Sequence, residues 1–256
     1  MTLSEYLSEI AFAKISGEYS RAESLEKEMK SNYPFPNASI SINDIPLWAT
    51  NKLKAQNNFI SPFEIEGKWK QGYALNLHTI SAKPLEKDED GNVTKWDTKY
   101  SELGNELHKF KYRNEKFRID KISKAAAEFL KEKNKEWQIN LIIPIPPSDN
   151  TSHFQPVYEL AKSIGNICNL TVDFTTLKKL KSTHQLKDIE NPDIRRKTLE
   201  DAFDIAPNSL SNKIVLLFDD LYRSGETLNA VCDIVKNKGN ARDVYALTIT
   251  KTRSKK

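Results

Sequence analysis

Apolar residues recur at three- and four-residue spacing near the start of the chain. Leu3, Tyr6, Leu7, Ile10, Ala11 and Ile15 fall on one helical face, and after Gly17 the period resumes with Ala22, Leu25 and Met29. The pattern predicts helix over 3–30, stopped by Pro34 and Pro36, which lack the N–H a helix interior needs. Turn-forming residues then run to about Pro62. Trp69 to Ile80 reads as a strand entered through Gly72. Residues 86–97 are charged and hold Asp90-Gly91-Asn92, a turn signal, so they read as a loop or hairpin tip.

From Ser101 the rhythm changes. Ser101 and Glu102 open a helix through Leu103, Leu107 and Phe110, and 117–133 is a second helix with Ile119, Ile122, Ala126 and Phe129 on one face. Strands and helices then alternate. Residues 138–145 form a continuous apolar run, the mark of a strand buried on both faces, and 213–218 is another. Helix is predicted at 157–168 and 227–238, the latter ended by Gly239, with strands at 170–174 and 244–250. The alternation predicts an α/β fold with a parallel sheet and helices on its faces. It covers 101–256, with 1–100 a divergent, partly helical N-terminal segment. The basic end from Lys251 to Lys256 reads as a frayed terminus.

The hydrophobic share of 38% and charged share of 29% are those of a globular protein able to fill a core. No apolar run approaches the roughly 18 residues of a membrane helix. The first residues lack a basic stretch followed by an apolar one, so a cytoplasmic address is expected. Cys168 and Cys232 lie in helical patterns among apolar neighbours and read as small buried hydrophobes. With four scattered histidines they build neither a disulfide framework nor a zinc site. A net charge of +4 suits anionic ligands in general without singling out nucleic acid.

The chemistry gathers after the second apolar run, in Asp219-Asp220-Leu221-Tyr222-Arg223-Ser224-Gly225-Glu226-Thr227. Ligands of open parallel sheets sit beyond the carboxyl ends of the strands. Two adjacent carboxylates there suit a sugar diol or a bound magnesium ion. A Ser-Gly-Glu-Thr turn opening a helix offers backbone N–H groups, a hydroxyl and a helix N-terminus to a phosphate. An acidic pair after a strand also occurs in receiver domains, and Asp219 could merely cap the helix. The apolar strand, acidic pair, glycine turn and Thr-initiated helix, taken in that order, are more specific. They resemble the signature of the type I phosphoribosyltransferases.

The resemblance extends upstream, over roughly 101–253, and is nearest to the ComF competence-protein family within that superfamily. The residues that carry it are Pro144-Ile145-Pro146, a Gln155-led helix, Thr183-His184-Gln185-Leu186, Arg195-Arg196-Lys197 leading to Ala202-Phe203, and Leu107 to Arg113 with its Lys-Tyr-Arg end. Tyr222 after the acidic pair is also usual there. Three departures stand out. The family's N-terminal zinc-binding cysteine pairs are absent, Arg223 occupies a position that is normally small, and 146–150 has no basic residue.

The resemblance implies a ligand, phosphoribosyl pyrophosphate or a nucleotide, bound with Mg2+. Asp219 and Asp220 would hold the ribose hydroxyls, directly or through metal. Arg223, Ser224, Gly225, Glu226 and Thr227 would hold the 5′-phosphate, with Arg223 either adding a contact or blocking the pocket. Ser148, Asp149 and Asn150 are the pyrophosphate-loop candidates. The basic stretch 178–197 resembles the superfamily's mobile lid and contributes Gln185, Arg195, Arg196 and Lys197, or else is a solvated surface. The implied reaction is transfer of phosphoribosyl to an acceptor that the sequence does not name, with pyrophosphate released. The alternative is a ComF-like module with reduced chemistry, acting in DNA processing, DNA uptake or defence. It would engage a nucleic-acid or protein partner through residues 1–100, and a homodimer is a further candidate assembly. His78, His108 and His184 read as structural or surface residues, and His153 is an outside candidate for ligand contact.

Overall fold

The computed structural model describes residues 6, 9, 10, 13, 19–32, 59–88, 90–113, 115–147, 154–180, 199 and 201–253. The chain divides into two compact units, Met1–Ser61 and Pro62–Lys256.

In the first unit Tyr6, Glu9, Ile10 and Ala13 are helical, and α1 spans Tyr19–Asn32. The Tyr6 hydroxyl donates to Glu28 Oε1 (2.6 Å) and accepts from Asn32 Nδ2 (2.8 Å). A single straight helix would hold Tyr6 and Glu28 about 33 Å apart at 1.5 Å per residue. The expected run over 3–30 is therefore two helical pieces folded back on each other. The salt bridge Arg21–Glu9 (2.8 Å) and the buried Ile10, Ala13 and Ala22 fit the same hairpin.

The second unit is an α/β sandwich. Its elements are β1 (Phe63–Glu64), β2 (Gln71–Leu77), β3 (Thr79–Lys87), β4 (Val93–Tyr100), α2 (Glu102–Tyr112), α3 (Ile119–Trp137), β5 (Leu141–Pro144) and α4 (Pro156–Cys168). After these come β6 (Thr171–Val172), β7 (Lys178–Lys179), β8 (Phe203–Asp204), β9 (Ile214–Tyr222), α5 (Glu226–Asn237) and β10 (Asp243–Lys251). Six strands form one sheet in the order β1-β2-β10-β9-β5-β6, parallel throughout except for the short edge strand β1. The apolar runs at β5 and β9 take adjacent interior places, covered on both faces as predicted. β3 and β4 form a separate antiparallel hairpin around the Asp90-Gly91 turn, and β7 pairs with β8. The strand expected over 69–80 is thus two strands, β2 in the sheet and β3 turning into the hairpin. β2 pairs with β10 along six register positions, so the sheet unit begins near residue 62 rather than at 101.

Side chains on β9 alternate between the faces. Val215 and Leu217 join a core with Ile143, Ala246, Phe203 and the α5 residues Leu228, Val231 and Val235. Leu216 and Phe218 turn to the opposite face, where α2, α3 and α4 pack with Leu107, Phe110, Ile122, Leu130 and Leu160 fully buried. Pro156 starts α4 with its φ already helical, and Asn169, left-handed at φ 54°, ends it. No described helix is long and apolar enough to cross a membrane.

Candidate functional site

β9 outruns its neighbour. β5 leaves the sheet at Pro144, which pairs with Phe218, and the last link is the Ile145 N–H to the Phe218 carbonyl (2.8 Å). β10 continues beside β9 as far as Lys251 opposite Tyr222. Residues 219–222 are therefore held on the β10 side and open on the side β5 vacates. A cleft of about 300 Å³ lies there, and Asp219, Asp220, Arg223, Thr227, Lys111 and Lys179 line it together with Pro146, Pro147 and Gln155. It occupies the place where parallel sheets bind ligands, beyond the strand ends.

Alternation along β9 turns the two carboxylates to opposite faces. Asp220 faces the α2 side, where the Lys111 ammonium sits 2.5 Å from its Oδ2, and both side chains are largely buried. Asp219 lies on the face of Lys179 and accepts the Asp220 N–H at its Oδ1 (2.8 Å). Burial and then the neighbouring Asp220 charge raise the Asp219 carboxyl above the ordinary range, against the pull of Lys111 and Lys179. Burial alone would lower Lys111, but the Asp220 carboxylate outweighs it and holds the ammonium charged. Lys179 donates to the Pro147 carbonyl (3.2 Å) beneath the Phe203 ring, and burial lowers its pKa while Asp219 opposes that.

Lys111 is aimed by the start of α2. The Ser101 hydroxyl donates to the Leu77 carbonyl and accepts the Gly104 N–H (2.9 Å), tying the helix N-terminus to the end of β2. A Cβ on Gly104 would lie 2.0 Å from the His78 carbonyl oxygen, so only glycine lets the helix approach this closely. His78 itself contacts the Thr250 hydroxyl (3.1 Å), which donates to the Asp220 carbonyl (3.3 Å). Burial, with the Lys111 charge behind it, pushes the His78 pKa down to about 4, so the ring is neutral.

The turn after β9 is fixed by Gly225, at φ +77° and in contact with the Tyr222 ring, where a Cβ would come within 2.8 Å. Tyr222 is anchored by its hydroxyl on the Glu66 carbonyl (3.0 Å) and edge-on to Trp69. Gly225, which has no side chain, gives α5 no side-chain cap, so the start of the helix meets the turn through its backbone N–H groups. N–H groups at a helix start, with the positive end of the helix dipole, favour an anion. Arg223 and Ser224 are exposed on the turn, and Arg223 forms no ion pair among the described residues.

The structure brings Asp219, Asp220, Arg223 and Thr227 to one cleft. Ser148, Asp149, Asn150, His153, His184, Gln185, Arg195, Arg196 and Lys197 lie outside the described residues. The sequence reading assigns Lys111 no site role and includes Lys179 only as part of the basic stretch 178–197 read as a lid. The first stood in the Lys-Tyr-Arg stretch and the second in a basic run, so the residues were visible but their target was not.

Mg2+ is implied by the resemblance, and the donor set can be tested for it. Asp220 is already satisfied by an ammonium, Asp219 is turned to the opposite face of β9, and no cluster of three or more His, Cys, Asp or Glu able to hold a metal occurs among the described residues. These residues do not fit a resident divalent ion.

No family model matches the chain, and no curated protein matches it in sequence. Among solved structures it is similar to a purine phosphoribosyltransferase from Pyrococcus horikoshii, at 21% identity over 52% of this chain and 83% of that one, with a TM-score of 0.32. A superposition that loose carries neither site nor activity from one chain to the other.

Proposed function

We propose that residues 62–256 bind a phosphorylated ribose, as phosphoribosyl pyrophosphate or a nucleoside 5′-phosphate, and transfer the phosphoribosyl group to an acceptor with release of pyrophosphate. The observation that carries this is the joining of an acidic pair to a helix N-terminus across one glycine turn, with Asp219, Asp220, Arg223 and Thr227 lining a single cleft. Hydroxyls donate to Asp219 and Asp220, and a 5′-phosphate accepts from the Glu226 to Leu228 N–H groups and the Thr227 hydroxyl. Lys179, which lines the same cleft, offers charge to the pyrophosphate that leaves when the C1–O bond breaks and the acceptor bonds to C1. Catalysis of this kind rests on positioning and on charge neutralisation at the leaving group. Any Mg2+ would come with the pyrophosphate and be held by its oxygens.

A second reading, a ComF-like binding module with reduced chemistry and a nucleic-acid or protein partner, is favoured by one observation. Arg223 stands exposed at the cleft where a small residue is usual. Calorimetric titration with phosphoribosyl pyrophosphate, followed by a screen of nucleobases for pyrophosphate release, separates the two. Binding with release supports transfer, binding without release supports the module, and no binding rejects both.

A further inference from the structure

Lys111 is held more firmly than a surface lysine. It sits in the last turn of α2, beside the fully buried Phe110 and one turn beyond the fully buried Leu107. The helix start is fixed by Ser101 and by the close approach of Gly104 to His78. Its ammonium lies 2.5 Å from Asp220 Oδ2, with the lysine side chain 21% and the aspartate 9% exposed. In those surroundings neither charge is easily returned to water, and removing one leaves the other uncompensated. Both groups line the cleft. An ammonium carries three N–H donors, so it can hold Asp220 and still donate to a ligand oxygen. No further carboxylate, histidine or cysteine completes a divalent site around the pair among the described residues, and His78 is engaged with Thr250.

We propose that Lys111 is the resident cation of the Asp220 carboxylate, standing where a divalent metal would otherwise stand, so that a phosphorylated ribose binds this cleft without metal. The inference rests on reading the cleft as a sugar-phosphate site. It makes Lys111 a positioning residue for Asp220 and a direct donor to the sugar.

The test has two arms, each on the full chain as wild type, Lys111→Met and Lys111→Arg. In the first, without ligand, Mn2+ uptake is followed by electron paramagnetic resonance. Wild type and Lys111→Arg should leave the free-ion signal unchanged, and Lys111→Met, with the Asp220 carboxylate released, should diminish it. In the second, ribose 5-phosphate is titrated calorimetrically in excess EDTA or in millimolar MgCl2. Wild-type affinity should agree within about twofold between the buffers, while Lys111→Met in EDTA should bind roughly tenfold more weakly or worse, the usual loss for a charged hydrogen bond. Lys111→Arg should stay near wild type. A wild-type affinity that falls about tenfold on removal of Mg2+ overturns the proposal. So does Mn2+ uptake by wild type equal to that of Lys111→Met. If ribose 5-phosphate binds neither protein in either buffer, the sugar-phosphate reading fails by itself, and the Mn2+ arm still decides. Uptake by Lys111→Met alone then supports the resident-cation role, and uptake by all three proteins or by none overturns it.

Discussion

At the scale of single residues, the site depends on a few groups held in unusual environments. His78 is neutral because burial lowers its pKa from 6.5 to about 4. A depressed imidazole pKa means the unfolded chain takes up the extra proton first, so stability falls as pH drops through about 6.5 and the loss is complete below about 4. Between pH 7 and pH 5 the histidine should cost on the order of 2 kcal/mol. Denaturant melts of wild type and His78→Gln at both pH values measure this. The wild-type drop should exceed the variant's by about that amount, and equal drops would show that His78 is protonated in the native state. Gly225 is a second such residue. Gly225→Ala should lower stability by about 1–3 kcal/mol, since alanine resists φ +77° and its methyl meets Tyr222. Thermal unfolding reads the change. Arg223→Ala should weaken binding of ribose 5-phosphate and leave free nucleosides unaffected, as seen by calorimetry. Tighter binding would instead mark Arg223 as a block.

At the scale of elements, α2 is the lever that brings Lys111 to Asp220. Gly104→Ala puts a methyl against a backbone carbonyl that cannot rotate away. Overpacking of this kind costs about 1–3 kcal/mol, and it should also shift α2 enough to weaken ligand binding, which Gly165→Ala, far from the cleft, should not do. The comparison separates loss of stability from loss of the site. The same elements show what a sequence can disclose. β5 and β9 are doubly buried and so appear as unbroken apolar runs, and the Asp-Asp to Thr turn follows directly from the second. β3 and β4 are mostly exposed on both faces, so no alternation betrays them beyond their turn. β7 and β8 are two residues each, too short for any period. The Lys111–Asp220 pair joins positions distant in sequence through the packing of α2 on the sheet, which no local pattern contains.

At the scale of the whole molecule, the sheet needs β2. Its six register positions cover one flank of β10, and a chain begun at residue 101 would leave that flank as a long unpaired edge, a template for aggregation. Residues 62–256 should therefore unfold cooperatively as an isolated protein, while residues 101–256 should aggregate or stay unfolded, as judged by size-exclusion chromatography and circular dichroism. Equal behaviour of the two would show that β2 is dispensable to the sheet. The acidic pair and the glycine turn matter only because the intact sheet leaves β9 longer than β5 at that point. The most direct test of the sugar-phosphate reading is calorimetric titration of phosphoribosyl pyrophosphate into wild type and into the Asp219→Asn, Asp220→Asn double variant. Wild type should bind, and the double variant should lose roughly tenfold or more in affinity, the cost of removing hydrogen bonds to charged groups. Equal affinity in the two proteins would contradict the account.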